Sequence, residues 1–264
     1  MAQTPSHHDL LSALKHYFGF DSFRHQQQDI IDNVLSGHDS LVIMPTGGGK
    51  SICYQLPALL LPGISVVISP LIALMKDQVD ALTANGIRAA YLNSSQSPDQ
   101  QQQVIADARS GALKLLYIAP ERIPANGDAF FKFIAGLNPS LFAIDEAHCI
   151  SAWGHDFRPE YLRLAVLKKN FPNVPVLALT ASADKLTRDD ILLRLELNNP
   201  RTFISSFNRP NISYTVRPKS QAFGHILDYI KAHPDNSGII YALSRAATSD
   251  IASKLQAAGI KAAH

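Results

Sequence analysis

The sequence predicts an α/β protein built on an open, mostly parallel sheet with helices on both faces. Two observations support this: short apolar runs alternate with longer helix-like segments, and the central runs are apolar along their whole length. Strands of a parallel sheet show this pattern because helices cover both of their faces. The predicted strands are Ser40–Met44, Ile64–Ser69, Ala89–Leu92, Lys114–Ile118, Leu141–Ile144 and Val176–Thr180.

The segments between these runs are predicted to be helices that cross from one strand to the next. Ser97 followed by Pro98 is typical of a helix N-terminus. Right-handed crossovers place the carboxyl ends of parallel strands at one edge, where such sheets bind their ligands. The predicted helices are Leu71–Asn85, Pro98–Ser110, Asp128–Leu137, Pro159–Asn170 and Lys185–Leu195, and a buried helix is also expected after the first strand.

A glycine-rich loop, residues 44–51, follows the first predicted strand. Three consecutive glycines let backbone N–H groups converge on a phosphate, and the helix that follows adds a partial positive charge. The common phosphate-loop pattern has glycine where this chain has Met44, and the alternative is a loop that only turns the chain. The expected ligands of Mg-ATP are Thr46, Gly47, Gly48, Gly49 and Lys50 for the phosphates and Ser51 for Mg²⁺.

An aromatic and polar segment precedes the loop and contains Phe20, Arg24 and Gln27. An aromatic ring and a guanidinium plane can sandwich adenine, and an amide has the donor and acceptor that the base edge needs. Without the loop nearby, the same residues would equally describe an aromatic cluster beside a polar surface. With it, we expect them to bind the base of ATP.

Two adjacent carboxylates, Asp145 and Glu146, follow the fifth predicted strand, and His148 comes two positions later. We expect Asp145 to hold Mg²⁺ and Glu146 to deprotonate the attacking water. His148 is less suited to Mg²⁺, which prefers oxygen ligands. A tetrapeptide can also occur by chance, but its place after a strand favours the catalytic interpretation.

The next run combines the single tryptophan of the chain, Trp153, with His155, Phe157 and Arg158. These side chains can stack on bases or contact phosphates, so we expect a loop that senses nucleic acid and signals to the ATP site. The alternative is a small hydrophobic cluster under a loop.

Composition limits the partners and the compartment. The net charge of +2 over 264 residues predicts a local rather than a global nucleic-acid surface. The two cysteines form no zinc ligand set and fit a reducing compartment, so no zinc is expected within these residues. The N-terminus lacks an export signal and prolines interrupt the uncharged stretch 51–75, so we expect a cytoplasmic protein without a membrane segment.

The pattern loosens near Ser205 and then starts again. We expect a first domain over residues 1–204, a linker over 205–215 and the truncated start of a second α/β domain over 216–264. The second series has predicted strands at Ile212–Val216 and Gly238–Ala242 and predicted helices at Phe223–Ala232 and Thr248–Ala258.

These motifs together resemble the N-terminal part of RecQ-family DNA helicases of superfamily 2, over nearly the whole chain. The matching segments are Phe20 to Gln27 for the adenine motif, Met44–Ser51 for motif I, Ser69–Gln78 for motif Ia, Tyr117–Arg122 for motif Ib, Asp145–His148 for motif II, Trp153–Arg158 for the aromatic-rich loop, Leu179–Ala183 for motif III and Ile239–Arg245 for motif IV.

The resemblance implies a RecA-like phosphate-loop lobe that hydrolyses ATP with Mg²⁺ and drives 3′-to-5′ movement on single-stranded DNA. It implies strand separation in DNA repair and recombination, with single-stranded and duplex DNA, and a single-stranded-DNA-binding protein, as partners of a monomer. It also places His148 and Ser182 among the residues that couple DNA to ATP. His25 and Gln26 stand where the family has Pro and Gly, and Ser182 where it has Thr, which retains a hydroxyl.

Motifs V and VI, with the arginine finger of the second RecA-like lobe, have no match in these residues. We therefore expect the 264-residue chain to bind Mg-ATP weakly, to hydrolyse it slowly and not to unwind DNA, and we expect protease to cut between about Ser205 and Asn211. Two hypotheses stay open: an ATP-driven DNA helicase of which this chain is the N-terminal part, and a nucleotide- and DNA-binding fragment without motor activity. A small-molecule kinase that uses the same loop would not explain the aromatic loop or motif Ia.

Overall fold

The computed structural model describes residues 7–123, 127–154, 156–206 and 211–264. It divides into two compact units, Met1–Asn208 and Arg209–His264, which are described separately.

The described residues of the first unit form one seven-stranded sheet in which every neighbouring pair is parallel. The strands are β1 (Ser40–Ile43), β2 (Ile64–Ile68), β3 (Ala89–Leu92), β4 (Leu115–Ile118), β5 (Pro139–Ile144), β6 (Val176–Thr180) and β7 (Arg201–Ile204). Their order across the sheet is β3-β4-β2-β5-β6-β1-β7. The predicted parallel α/β fold is confirmed.

Helices cover both faces of this sheet, and each face has its own hydrophobic core. Because the central strands contribute alternate side chains to the two cores, β1, β2 and β4 are buried along their whole length. The helices are α1 (His7–Phe18), α2 (Gln27–Leu35), α3 (Ile52–Leu60), α4 (Ile72–Ala84), α5 (Pro98–Arg109), α6 (Asp128–Gly136), α7 (Ala165–Asn170) and α8 (Lys185–Leu195). Where the structure describes the chain, no helix is long and apolar enough to span a membrane.

Besides α1 and α2, which were not predicted, two elements of the first unit differ from prediction. The helix predicted over Pro159–Asn170 is a 3₁₀ turn, Pro159–Arg163, followed by the short α7. The strand β7 was not predicted, because only Phe203 among its four residues is buried. It is an edge strand that pairs with β1 alone, so its sequence lacks the continuous apolar run of the central strands.

The second unit contains α9 (Ala222–Ala232) and α10 (Arg245–Ala257). The strands predicted at Ile212–Val216 and Gly238–Ala242 are wrong: residues 211–264 contain no strand. Tyr241 is 91% exposed, as expected for an apolar run without neighbouring strands. A strand needs partners for its backbone hydrogen bonds and a face to bury, and this unit supplies neither.

The amino edge of the sheet is held by Asp39, whose side chain is 1% exposed. Its carboxylate accepts hydrogen bonds from Lys168 Nζ at 2.8 Å, Val176 N at 2.9 Å and Asn198 N at 2.6 Å. One buried charge therefore joins β1 to α7, to β6 and to the segment before β7. This arrangement fixes the sheet from the end opposite the predicted site.

Candidate active site at the carboxyl edge of the sheet

The phosphate loop links the end of β1 to the start of α3. Gly47 and Gly49 have φ of +79° and +80°, a conformation that L side chains rarely adopt. Gly48 N donates to Pro45 O at 3.0 Å, and a Cβ on Gly48 would lie 2.9 Å from that same oxygen. The loop shape therefore requires glycine at all three predicted positions.

Lys50 and Ser51 close the loop and begin the helix. Lys50 Nζ donates to Met44 O at 3.2 Å, so the ammonium lies back across the loop rather than pointing into solvent. Ser51 is in the α conformation directly before α3. Thr46 is exposed.

Gln27 anchors the loop from α2. Its side chain is buried, its Nε2 donates to Gly49 O at 3.0 Å, and its Oε1 accepts from Arg24 N at 2.8 Å. A Cβ on Gly49 would collide with this amide. The predicted base-binding residue thus contacts the phosphate loop itself, and reading of adenine by Gln27 stays a prediction.

Phe20 and Arg24 lie beside Gln27 and stack on each other. The Arg24 Cζ is 5.6 Å from the Phe20 ring centroid, and Phe20 is 45% exposed. An exposed ring next to a guanidinium gives the flat, cationic surface expected for a base.

Asp145 and Glu146 follow β5 at the same edge. Burial, and then the negative charge of Glu146, raises the pKa of Asp145 to about 6, while the positive charge of Lys50 opposes this rise. Lys50 and the two carboxylates therefore belong to one electrostatic cluster. Tyr161 Oη fixes the backbone here by donating to Asp145 O at 2.8 Å.

Glu146 has a left-handed backbone, with φ of +48°. A non-glycine residue in this region is strained, and such strain is concentrated at functional sites. The turn directs the chain from β5 into a 3₁₀ segment, Ala147–Ile150. It leaves the Glu146 side chain 24% exposed, as a group that acts on a water molecule requires.

His148 is buried and joins motif II to the end of β6. Its Nδ1 lies 2.8 Å from Thr180 Oγ1 and 3.3 Å from Glu146 Oε2. Because Thr180 Oγ1 donates to Ser182 O at 3.1 Å, the hydroxyl accepts from His148 and Nδ1 carries the proton. This chain of contacts connects Glu146 to Ser182, and Thr180 was missed by sequence reasoning.

The aromatic loop is tied to the segment before α4 through Arg158. Its NH1 donates to Pro70 O at 2.9 Å, and its Nε and NH2 both donate to Asp156 Oδ2, at 3.2 Å and 3.0 Å. Hydrogen bonding to Arg158 holds the pKa of Asp156 below its usual value. Asp156 was also missed, although its place beside the predicted Phe157 and Arg158 is a usable signal.

The aromatic residues of this loop face solvent. Trp153 is 72% exposed and Phe157 is 41% exposed. The packed hydrophobic cluster that was the alternative for this loop does not describe these two side chains. The predicted site residue His155 lies outside the described residues.

One groove of about 530 Å³ brings several of these motifs together. Among the described residues, Phe20, Arg24 and Trp153 do not line this groove and are exposed elsewhere on the surface. The lining comes from the phosphate loop, the segment before α4, motif II, the aromatic loop and the segment after β6: Pro45, Thr46, Pro70, Leu71, Glu146, His148, Asp156, Ala181 and Ser182.

The site fits Mg-ATP by its donor set. The positive-φ glycines and Lys50 suit an anion, and Ser51 with Asp145 offers the oxygen ligands that Mg²⁺ takes alongside phosphates. Among the described residues, no group of three or more His, Cys, Asp or Glu side chains is close enough to hold a metal ion.

Comparison with known protein families identifies the family of this chain. The DEAD/DEAH box helicase family matches residues 24–190, which include the phosphate loop and both carboxylates. The chain belongs to the DEAD/DEAH box helicase family. This match extends from Arg24 to the middle of α8, so it covers most of the seven-stranded unit.

Relatives extend the likeness over the whole chain and confirm the resemblance to RecQ helicases. The chain is 52% identical over 96% of its length to the ATP-dependent DNA helicase RecQ of Haemophilus influenzae, and 51% identical over 98% to that of Pasteurella multocida. It spans 40% and 41% of those two proteins.

The fold is shared with solved helicase structures. The DUF1998 helicase MrfA, solved bound to DNA and AMPPNP, superposes with a TM-score of 0.71 at 18% identity, covering 97% of this chain and 38% of that one. The seven-stranded unit is therefore a RecA-like helicase fold.

Proposed function

We propose that this chain carries the ATP-hydrolysing part of a RecQ-type DNA helicase that moves 3′ to 5′ on single-stranded DNA. The observation that carries the proposal is the shared groove, in which Thr46, Glu146 and Asp156 line one space. The identity to two RecQ helicases supports it. DNA repair and recombination are the processes that we propose for the complete protein.

The positions of the side chains support the following catalytic roles. The loop N–H groups and Lys50 hold the phosphates, and Glu146, partly exposed at the groove, orients a water molecule and accepts its proton. The water oxygen bonds to the γ-phosphorus as the bond to the β–γ bridging oxygen breaks, giving ADP and phosphate. Mg²⁺, held by Ser51 and Asp145, would neutralise charge on the phosphates.

The aromatic loop couples DNA binding to ATP hydrolysis. The exposed Trp153 and Phe157 offer stacking surfaces for bases, and Arg158 connects the same loop to Pro70. His148 and Ser182 extend the connection from Glu146 to the end of β6. Arg158 N also donates to Cys149 O at 2.9 Å, directly after His148, so DNA on the loop can bias the geometry of Glu146 without touching ATP.

Unwinding by the complete product of the gene tests this proposal. A duplex with a 3′ single-stranded tail should be separated in the presence of Mg-ATP, while a 5′-tailed or blunt duplex should not be. Lys50→Ala should abolish the separation, because it removes the phosphate-binding cation. ATP hydrolysis without unwinding of any tailed duplex would contradict the helicase assignment, and unwinding of only the 5′-tailed duplex would contradict the polarity.

A further inference from the structure

A hydrogen-bond network that is buried at Gln55 and partly buried at Gln78 joins three elements of the first unit. Gln55 on α3 is 5% exposed, and its Nε2 donates to Gln78 Oε1 on α4 at 2.7 Å and to Tyr117 Oη on β4 at 3.3 Å. Burial raises the pKa of Tyr117 to about 12, so its hydroxyl stays neutral. The charge of Asp145 adds to this rise, which places the network close to motif II.

Gln55 is connected to the phosphate loop by the backbone of α3. Its N–H donates to Ser51 O at 2.9 Å, so Gln55 lies one helical turn beyond the residue predicted to bind Mg²⁺. The Gln55 side chain therefore extends from the first turns of α3, close to the predicted nucleotide site. It links this part of α3 to α4 and to β4.

Gln78 is connected to the aromatic loop through the first half of α4 and the segment before it. The segment that opens this helix contains Pro70, whose carbonyl accepts from Arg158, and Leu71, which lines the groove and is 44% exposed. The segment directly before α4 thus contacts the aromatic loop, and the middle of α4 contacts the phosphate-loop helix. A rigid helix transmits a displacement between these two contacts.

We infer that Gln55 and Gln78 are positioning residues that couple α4 to the phosphate-loop helix and set how strongly DNA stimulates ATP hydrolysis. The inference rests on the proposed function. The Gln55–Gln78 hydrogen bond is short, at 2.7 Å, and a hydrogen bond weakens steeply when its distance or angle changes, so a shift of α4 either moves α3 with it or breaks the bond. Neither glutamine was singled out for this role from sequence.

The test measures ATP hydrolysis by the complete gene product with and without single-stranded DNA. Gln55→Leu and Gln78→Leu should each lower the ratio of stimulated to basal rate by at least about 5-fold, the lower end of usual coupling between sites. The double variant should match Gln55→Leu, because both changes break the same bond. Gln78→Glu should retain the wild-type ratio, because its carboxylate still accepts from Gln55 Nε2.

A matched control separates coupling from general packing. Asn33 Nδ2 donates to Ser40 Oγ at 2.8 Å, so Asn33→Leu also removes a side-chain contact between elements, but away from α4. It should lower the denaturation midpoint and leave the ratio unchanged. A wild-type ratio in Gln55→Leu, or a double variant whose losses multiply, would overturn the inference alone. A wild-type protein without DNA stimulation would overturn the proposed function together with it.

Discussion

Acidic residues lie at both the amino and the carboxyl edge of the sheet, that is, at the two ends of its strands, but their surroundings differ. At the amino edge, Asp39 is 1% exposed and accepts three hydrogen bonds from Lys168, Val176 and Asn198. At the carboxyl edge, Asp145 has its pKa raised to about 6 and adjoins Glu146, which has a left-handed backbone. Asp39 is paired with three donors, whereas burial disfavours the charged form of Asp145 and the backbone of Glu146 is strained.

This difference separates stability from chemistry. Raised pKa values and strained backbone are concentrated where a protein binds or transforms a ligand, since a ligand can relieve them. A buried and fully paired charge leaves no strain for a ligand to relieve, and removing one partner lowers the stability of the fold.

The largest expected effect is on turnover at the carboxyl edge. Glu146→Gln in the complete gene product should lower the steady-state ATP hydrolysis rate by about 10²–10⁴-fold, because the positioned base is lost. Mg-ATP affinity and the denaturation midpoint should change little. Glu196→Gln is the matched control, since Glu196 also has a left-handed backbone but pairs with Lys169 on the surface. Near-normal turnover in Glu146→Gln would remove the base assignment.

The next effect is on stability at the amino edge. Asp39→Ala should lower the free energy of unfolding by about 3–5 kcal/mol, because it leaves the Lys168 ammonium buried without its partner. Urea denaturation of this chain measures it. The exposed pair of Lys15 and Asp21 is the control, and Asp21→Ala should leave the midpoint nearly unchanged. If both substitutions had equal effects, the amino edge would not have the role assigned to it.

A smaller effect is expected on coupling. Arg158→Ala frees the aromatic loop from Pro70, so the ratio of DNA-stimulated to basal ATP hydrolysis should fall by about 5–150-fold. Arg194→Ala on the outer part of α8 should leave the ratio unchanged. Circular dichroism of both variants serves as the folding control. An unfolded Arg158→Ala protein would instead favour a packing role for this loop.

The smallest effect concerns Asp184, the N-cap of α8, which follows the groove residue Ser182 by two positions. Asp184 Oδ1 accepts from Thr187 N at 2.8 Å, and this backbone hydrogen bond lowers the pKa of Asp184. The stabilisation is therefore present above the usual Asp pKa and is lost as pH falls through the lowered value. Asp184→Ala should lower the melting temperature slightly at pH 7 and less at pH 3. Asp184→Asn should cap the helix at both pH values, and a pH-independent difference between wild type and Asp184→Ala would contradict this origin.

The sequence predicted the carboxyl edge better than the amino edge. Gly47 to Ser51 and Asp145 to His148 are each a contiguous run directly after a predicted strand, so each motif can be recognised from neighbouring residues alone. Asp39 acts on residues far along the chain, such as Lys168 and Asn198, so no local pattern reveals it. Thr180 and Asp156 were missed because their importance depends on which side chains fold next to them.

The strands predicted after residue 211 show a second limit of sequence reasoning. An apolar run such as Gly238–Ala242 has the local preference for a strand, but strands form through pairing with others. In the first unit the neighbouring strands lie within the same unit, and six of the seven were predicted. The edge strand β7 was missed because one buried residue gives no run to recognise.

Phosphate release from Mg-ATP, followed with and without single-stranded DNA, tests the central claim most directly. The complete gene product should release phosphate faster when DNA is added, Glu146→Gln should be slow in both conditions, and Asp39→Ala should retain the response under conditions in which it is folded. The account is contradicted if DNA does not change the wild-type rate, or if Asp39→Ala loses the response while Glu146→Gln keeps it.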